Sequence, residues 1–119
     1  RQGHREGRER RRMKDVLEGL KRAKALLEGG WTQFTRARDA ENNPVAVGDT
    51  RAVKFCMEGA CRQAEIDLST PDDLLAEYVE DALVNRGKNG HVPEWNDQFG
   101  RTKEEVLELM EEAIHAVEE

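Results

Sequence analysis

Between residues 13 and 28 the apolar residues recur with the period of an α-helix, and this pattern restricts the fold more than any other feature of the chain. Met13, Val16, Leu17, Leu20, Ala23 and Leu27 stand at i, i+3, i+4 and i+7 spacings, so they share one stripe of a helix that turns about 100° per residue. Leu26 lies at the edge of that stripe. Lys14, Asp15, Glu18, Lys21, Arg22 and Glu28 take the other face, with Ala25 among them. Lys24 falls on the apolar side, where its stem can cover the core edge while the ammonium reaches water. Gly29-Gly30 stops the helix, because glycine favours the left-handed position that follows a helix end. A one-sided helix must bury its stripe against other elements, and three further segments can supply them.

Asp49 or Thr50 can cap a second helix over 51–65. Its apolar face is made of small residues (Ala52, Val53, Cys56, Met57, Ala60, Cys61, Ala64), and Gly59 adds a gap. Such a helix can approach its neighbours closely, so it reads as the central one. Thr70-Pro71-Asp72-Asp73 opens a third. Thr70 can accept from the first-turn amides, Pro71 suits the first helical position, and the two aspartates complement the macrodipole. This helix buries Leu75, Tyr78, Val79, Ala82 and Leu83 and ends at Gly87. Thr102-Lys103-Glu104-Glu105 is a capping box, with a hydroxyl at the cap and a carboxylate three residues on. The fourth helix carries Val106, Leu107, Met110, Ala113, Ile114 and Val117, widened by Leu109 and Ala116.

Two connections interrupt the helical period. In 31–48, Trp31, Phe34, Val45 and Val47 are the apolar anchors, and Asp39 to Pro44 is rich in turn formers. The segment reads as a short β-hairpin, with strands near 33–38 and 44–47, or as an ordered loop. A lone hairpin is marginal in water, so it must lie against the helices. Residues 87–101 form a polar loop in which Trp95 and Phe99 are embedded. The expected fold is mainly α: a compact four-helix domain over 13–119, with the hairpin or ordered loop between helices 1 and 2. A chain of 119 residues suits a single domain.

Charge is unevenly spread. Residues 1–12 carry six Arg against two Glu, which leaves 13 basic and 23 acidic groups on the other 107 residues. A body of that sign repels phosphate backbones, so nucleic-acid binding would have to come from the head alone. The head has no apolar residue. It reads either as a flexible arm or as a charged forward extension of the first helix. Gly3-His4 resembles residues added in cloning, and Met13 is a natural start. No run of 18 apolar residues is present, so no membrane span is expected. The absence of a signal-peptide core, together with two unpaired cysteines, points to the cytoplasm.

Reactive constellations are sparse. Cys56 and Cys61 stand five apart, about 140° around a helix axis, and are poorly placed to bridge each other. Both read as small core residues. His4, His91 and His115 are scattered without metal-ligand spacing, so neither a metal nor another cofactor is expected. The acidic residues fall mostly on solvent faces or helix caps. The most informative stretch is Trp95 to Thr102, whose Asn and Asp can tie turns while Trp95 seals the core. Its functional reading is a polar rim around an aromatic, opposite Trp31 and the hairpin arginines. Such a surface could hold a small ligand or a peptide. The candidate binding residues are Trp31, Arg36, Arg38, Arg51, Trp95, Asn96, Asp97 and Arg101.

An ordered series of motifs carries a resemblance. It comprises Gly30-Trp31-Thr32, Ala37-Arg38-Asp39-Ala40, Val47, Ala52-Val53-Lys54-Phe55-Cys56, Gly59-Ala60, Trp95-Asn96-Asp97, Gly100-Arg101-Thr102 and Glu105-Val106-Leu107. Over roughly residues 13–115 the chain resembles a family of small bacterial and phage proteins classed only as a domain of unknown function. It departs from that pattern at Phe55, where a Trp is expected before the Cys, and at its Arg-rich start. The resemblance implies a compact helical domain with a short hairpin, and it carries no activity, substrate or catalytic residue.

The expected function is a non-enzymatic protein-interaction or small-ligand-binding module in the cytoplasm, with pairing into a homodimer left open. Two other classes remain. One is a small hydrolase or transferase using Cys56 or His91 with Asp97. The other is a nucleic-acid-associated regulator acting through the Arg-rich head.

Overall fold

A computed structural model describes residues 2–118, with side chains described from residue 7. In chain order the elements are α1 (Gln2–Gly29), β1 (Ala37–Arg38), β2 (Lys54–Phe55), α2 (Met57–Leu68), α3 (Leu74–Asn85), α4 (Val92–Asn96) and α5 (Lys103–Glu118). Four long helices and a two-stranded antiparallel hairpin between α1 and α2 match the architecture read from the sequence. The fifth helix, α4, is a single turn inside the 87–101 connection.

The stripe of α1 is buried from Val16 onward: Val16, Leu20, Ala23 and Leu27 are fully covered, while Met13 stays 39% exposed. Burying a leucine such as Leu20 or Leu27 contributes about 2 kcal/mol. The stripe meets Met57, Ala60, Cys61 and Ala64 of α2, Leu75, Val79 and Leu83 of α3, and Val106, Leu109, Met110 and Ile114 of α5. Lys24 caps the edge of this core and reaches Glu111 of α5 at 2.9 Å. Along the described part of the head the helix simply continues, as the forward extension of α1. Gly19 lets α1 and α3 touch, because a Cβ there would meet the Leu75 side chain at 2.8 Å.

Three boundaries differ from the expectation. The second helix starts at Met57 rather than 51, and its N-cap is Cys56, whose sulfur accepts from the Gly59 N–H at 3.3 Å. Asp49 instead bonds the Arg51 N–H at 2.8 Å. Residues 54–55 form the second strand, in register Ala37↔Phe55 and Arg38↔Lys54, while the 44–47 stretch contributes one bridge, Arg38↔Pro44. Residues 52–56 fit a period of two as readily as one of 3.6, and long-range pairing decides between them. Glycine makes that pairing possible. A Cβ on Gly30 would lie 2.5 Å from the Val53 carbonyl oxygen, and one on Gly59 would lie 2.0 Å from that of Arg36. Gly30 therefore serves close approach; it is absent from the positive-φ glycines, so it is not a left-handed stop.

The third boundary is the start of α3. Thr70 does not cap it, and its hydroxyl is buried without a partner. The carboxylate of Glu65, itself buried, accepts from the Asp73 and Leu75 N–H groups at 3.2 and 2.9 Å. A side chain from the preceding helix thus replaces the local cap, because the chain reverses within five residues of the end of α2. By contrast, the capping box of α5 forms as read. Thr102 N donates to Glu105 Oε1 at 2.9 Å, and Glu105 N donates to Thr102 Oγ1 at 3.2 Å.

Candidate functional site

Trp31 follows α1 and Asn96 ends α4, yet the fold joins them. Trp31 Nε1 donates to Asn96 Oδ1 at 2.9 Å, and the same oxygen accepts the Met57 N–H at 3.1 Å. Asn96 Nδ2 donates to the Thr32 carbonyl at 3.2 Å and to Asp97 Oδ1 at 2.9 Å. Two donors and two acceptor positions are all the amide possesses, so Asn96, fully buried, is satisfied within the protein. One side chain therefore ties the end of α1, the start of α2 and α4 together. Gln33 reinforces the tie by donating to the Asn96 and Gln98 carbonyls, each at 3.0 Å. Gln33 was not among the sequence candidates. A lone glutamine in a loop carries no local signal, since its partners lie more than 60 positions away.

Arg38 rivets the Trp31 side of this knot. Its guanidinium donates to Thr32 Oγ1 at 2.8 Å, to the Gln33 carbonyl at 3.2 Å and to the Asn42 carbonyl at 3.1 Å. Asp97 works on the outer side, where Oδ1 accepts the Phe34 N–H at 2.9 Å. That bond accompanies a left-handed backbone at Phe34, φ 72°. Phe34 is 72% exposed, and Phe99, on the connection that Gln33 grips, is wholly exposed. The sequence places Phe34 among the apolar anchors of its segment, and the structure does not bury it. Ala37 and Phe55 fill the inward positions instead, and the hydrogen bonds of Gln33 and Phe34 leave their loop no freedom to turn the ring under.

Trp95 and Arg101 form a neighbouring stack. Trp95 is buried, with the Arg101 guanidinium 3.7 Å from its ring centroid and that of Arg86 at 5.7 Å. Arg101 also donates to the Trp95 carbonyl at 2.9 Å and pairs with Glu105 at 3.3 Å. Beside Trp95 runs an open groove of about 260 Å³ bordered by Lys88, Asn89, Glu94 and Gln98. The other two candidates lie apart. Arg36 pairs with Glu58 at 2.8 Å and borders a separate groove with Val45, Val47 and Ile66. Arg51 pairs with Asp49 at 2.9 Å, and its hydrogen bonds hold the Asp49 carboxyl down at about 2.

Groups that nucleophilic chemistry would use are committed elsewhere. Cys56 and Cys61 are free and buried. Burial pushes the Cys56 thiol up, and the Glu58 and Asp97 charges add to it against the lowering Gly59 N–H. Cys61 is raised further, again by burial first. His91 Nδ1 accepts the Glu94 N–H at 3.2 Å as the cap of α4, and Asp97 Oδ1 is taken by Phe34 and Asn96. The side chain of His4 lies outside the described residues. Among the described residues no three His, Cys, Asp or Glu side chains converge as metal ligands, and no helix is long and apolar enough to cross a membrane.

No curated protein and no solved structure matches the chain. Residues 11–116, which take in the whole hydrogen-bonded knot, α2, α3 and most of α1 and α5, match a family of unknown function, DUF6197, and the chain belongs to that family.

Proposed function

We propose that this chain is a cytoplasmic, non-enzymatic protein-interaction module of bacterial or phage source, and that it docks a protein partner on Phe34 and Phe99. The observation that carries this reading is the backbone of Phe34. A bulky residue held at positive φ costs on the order of 1–3 kcal/mol and persists only where its surroundings over-determine it. Here Asp97 supplies that constraint and Asn96 in turn holds Asp97, while the ring so positioned stands in water. Phe99 is presented by the connection bonded to the same loop. Exposed aromatics on a rigid base suit protein recognition, because they bring contact area at little entropic cost. In this reading Trp31, Arg38, Asn96 and Asp97 form the base, and Trp95 with Arg101 stiffens its far side. A small ligand is less well served, since the amide of Asn96 has no donor or acceptor left for it.

The test is site-specific photo-crosslinking in cells. A photoreactive phenylalanine analogue at position 34 or 99 is expected to give discrete protein adducts, and the adduct from 34 disappears with Phe99→Ser. The same probe in place of Glu80, exposed on α3, gives none. Adducts equally abundant from all three positions, or none from 34 and 99, would refute the docking face.

A further inference from the structure

A different surface lies where the N-terminal part of α1 passes the approach to α3. Arg8, Arg11 and Arg12 stand at i, i+3 and i+4 on one face of α1, where it runs past the body. With Asp15 they line an open groove of about 470 Å³ against Pro71 and Leu74, at the approach to α3. No described carboxylate lies within ion-pair distance of the three guanidiniums. Like charges at these spacings destabilise a helix, and no apolar residue in 1–12 anchors this one to the core. Asp15 offsets part of this at i+3 from Arg12 and i+4 from Arg11, which leaves two of the three positive charges open to a counter-charge from outside.

Acidic groups follow Leu74 along α3. Glu77 and Asp81 follow Leu74 by three and seven positions, so they continue its face along α3. Both are exposed, and neither has an ion-pair partner among the described residues. Read along this surface, the order is positive, apolar, negative. A patch of that order is self-complementary. Rotation by a two-fold axis through its apolar middle lays each positive end on a negative end and Leu74 on Leu74.

We propose that two copies of this chain pair through this patch, the arginines of each α1 resting on Glu77 and Asp81 of the other. An acidic body and an apolar groove floor favour this occupant over a nucleic acid, which such a body repels. The proposal is independent of the aromatic face: Phe34→Ser with Phe99→Ser leaves the pairing unchanged, so the two readings fail separately.

Sedimentation velocity on the full chain tests it. At micromolar concentration and ~0.1 M salt the expected species is a dimer. It dissociates toward ~1 M salt, where the screening length falls from about 10 Å to about 3 Å. Two charge-reversed variants follow, one carrying Arg8→Glu, Arg11→Glu and Arg12→Glu, the other Glu77→Arg and Asp81→Arg. Each alone is monomeric, with the helical circular dichroism of the parent, and an equimolar mixture dimerises again. A parent that is monomeric at low salt, or reversals that pair as the parent does, overturns the proposal. So does a monomeric parent that binds duplex DNA through the same arginines.

Discussion

Replacing Asn96 by alanine strands the Met57 N–H, which is buried, and the Trp31 indole N–H, which is partly buried, and it also frees the Thr32 carbonyl. A buried donor left unsatisfied costs about 1–3 kcal/mol. Water can reach the indole more easily than the Met57 amide, so the expected loss is about 3 kcal/mol rather than the full sum. In a domain of this size that lowers the midpoint by roughly 4 °C per kcal/mol, or ~12 °C. Asn96→Asp separates hydrogen bonding from charge. Its oxygens still accept from Trp31 and Met57, but the atom that donated to Asp97 and to the Thr32 carbonyl becomes an acceptor facing them. The introduced carboxyl has its pKa raised in the folded state by burial and by the Asp97 charge. A group of that sense contributes most below its unfolded value, near pH 4, and the contribution is lost as pH rises through the folded value. The Asn96→Asp variant should therefore be nearer the parent at pH 4 than at pH 7, opposite to an ordinary surface carboxylate. Urea titration followed by tryptophan fluorescence and by far-ultraviolet circular dichroism, at both pH values, measures this. An alanine variant within ~1 kcal/mol of the parent, less than one stranded donor costs, would refute the reasoning. So would an Asn96→Asp variant whose deficit does not grow with pH.

Gly59→Ala is expected to be among the most damaging single-methyl changes. The new carbon would meet a backbone carbonyl at 2.0 Å, and overpacking that a side chain cannot relieve costs about 3 kcal/mol or more. Thermal unfolding should show the loss, and amide exchange should show Cys56, whose N–H donates to the displaced Arg36 carbonyl, deprotected first; an unchanged midpoint would mean that the hairpin can lift off α2 freely. At Asp49, hydrogen bonds from Arg51 hold the carboxyl at about 2, below its unfolded value of about 4. A depressed pKa contributes stability above about pH 4 that disappears as pH falls toward about 2. Asp49→Asn should flatten that part of the acid limb of a midpoint-against-pH curve, and an identical limb would show that the turn does not feel the ion pair.

The docking face and the two-fold patch both stand on ordinary local chemistry turned outward, and the sequence was informative in proportion to how local the chemistry is. The stripe of α1, the Thr102–Glu105 capping box and the end of α3 before Gly87 were all legible, because their partners stand within four residues of one another. The small cysteines also read correctly as core. The start of α2, the partner of β1 and the cap of α3 were not legible. Gly30, Gly59 and Glu65 act on backbone groups from other elements, and no window of the chain contains both halves of such a contact. The same holds for the candidate site. Trp31, Asn96 and Asp97 were conspicuous as residue types, but the bonds that tie Asn96 and Asp97 to the 31–34 segment span more than 60 positions, so only folding showed that Asn96 fastens the end of α1 to α2 and α4. Phe34 and Phe99 mark the sharpest division. As phenylalanines they belong inside by hydropathy alone, and the sequence by itself determined only that two large apolar rings had to be placed somewhere. The tertiary structure decided that they stand in water, because the hydrogen bonds that fix their loops are formed across the fold and outweigh the preference of either ring for the core.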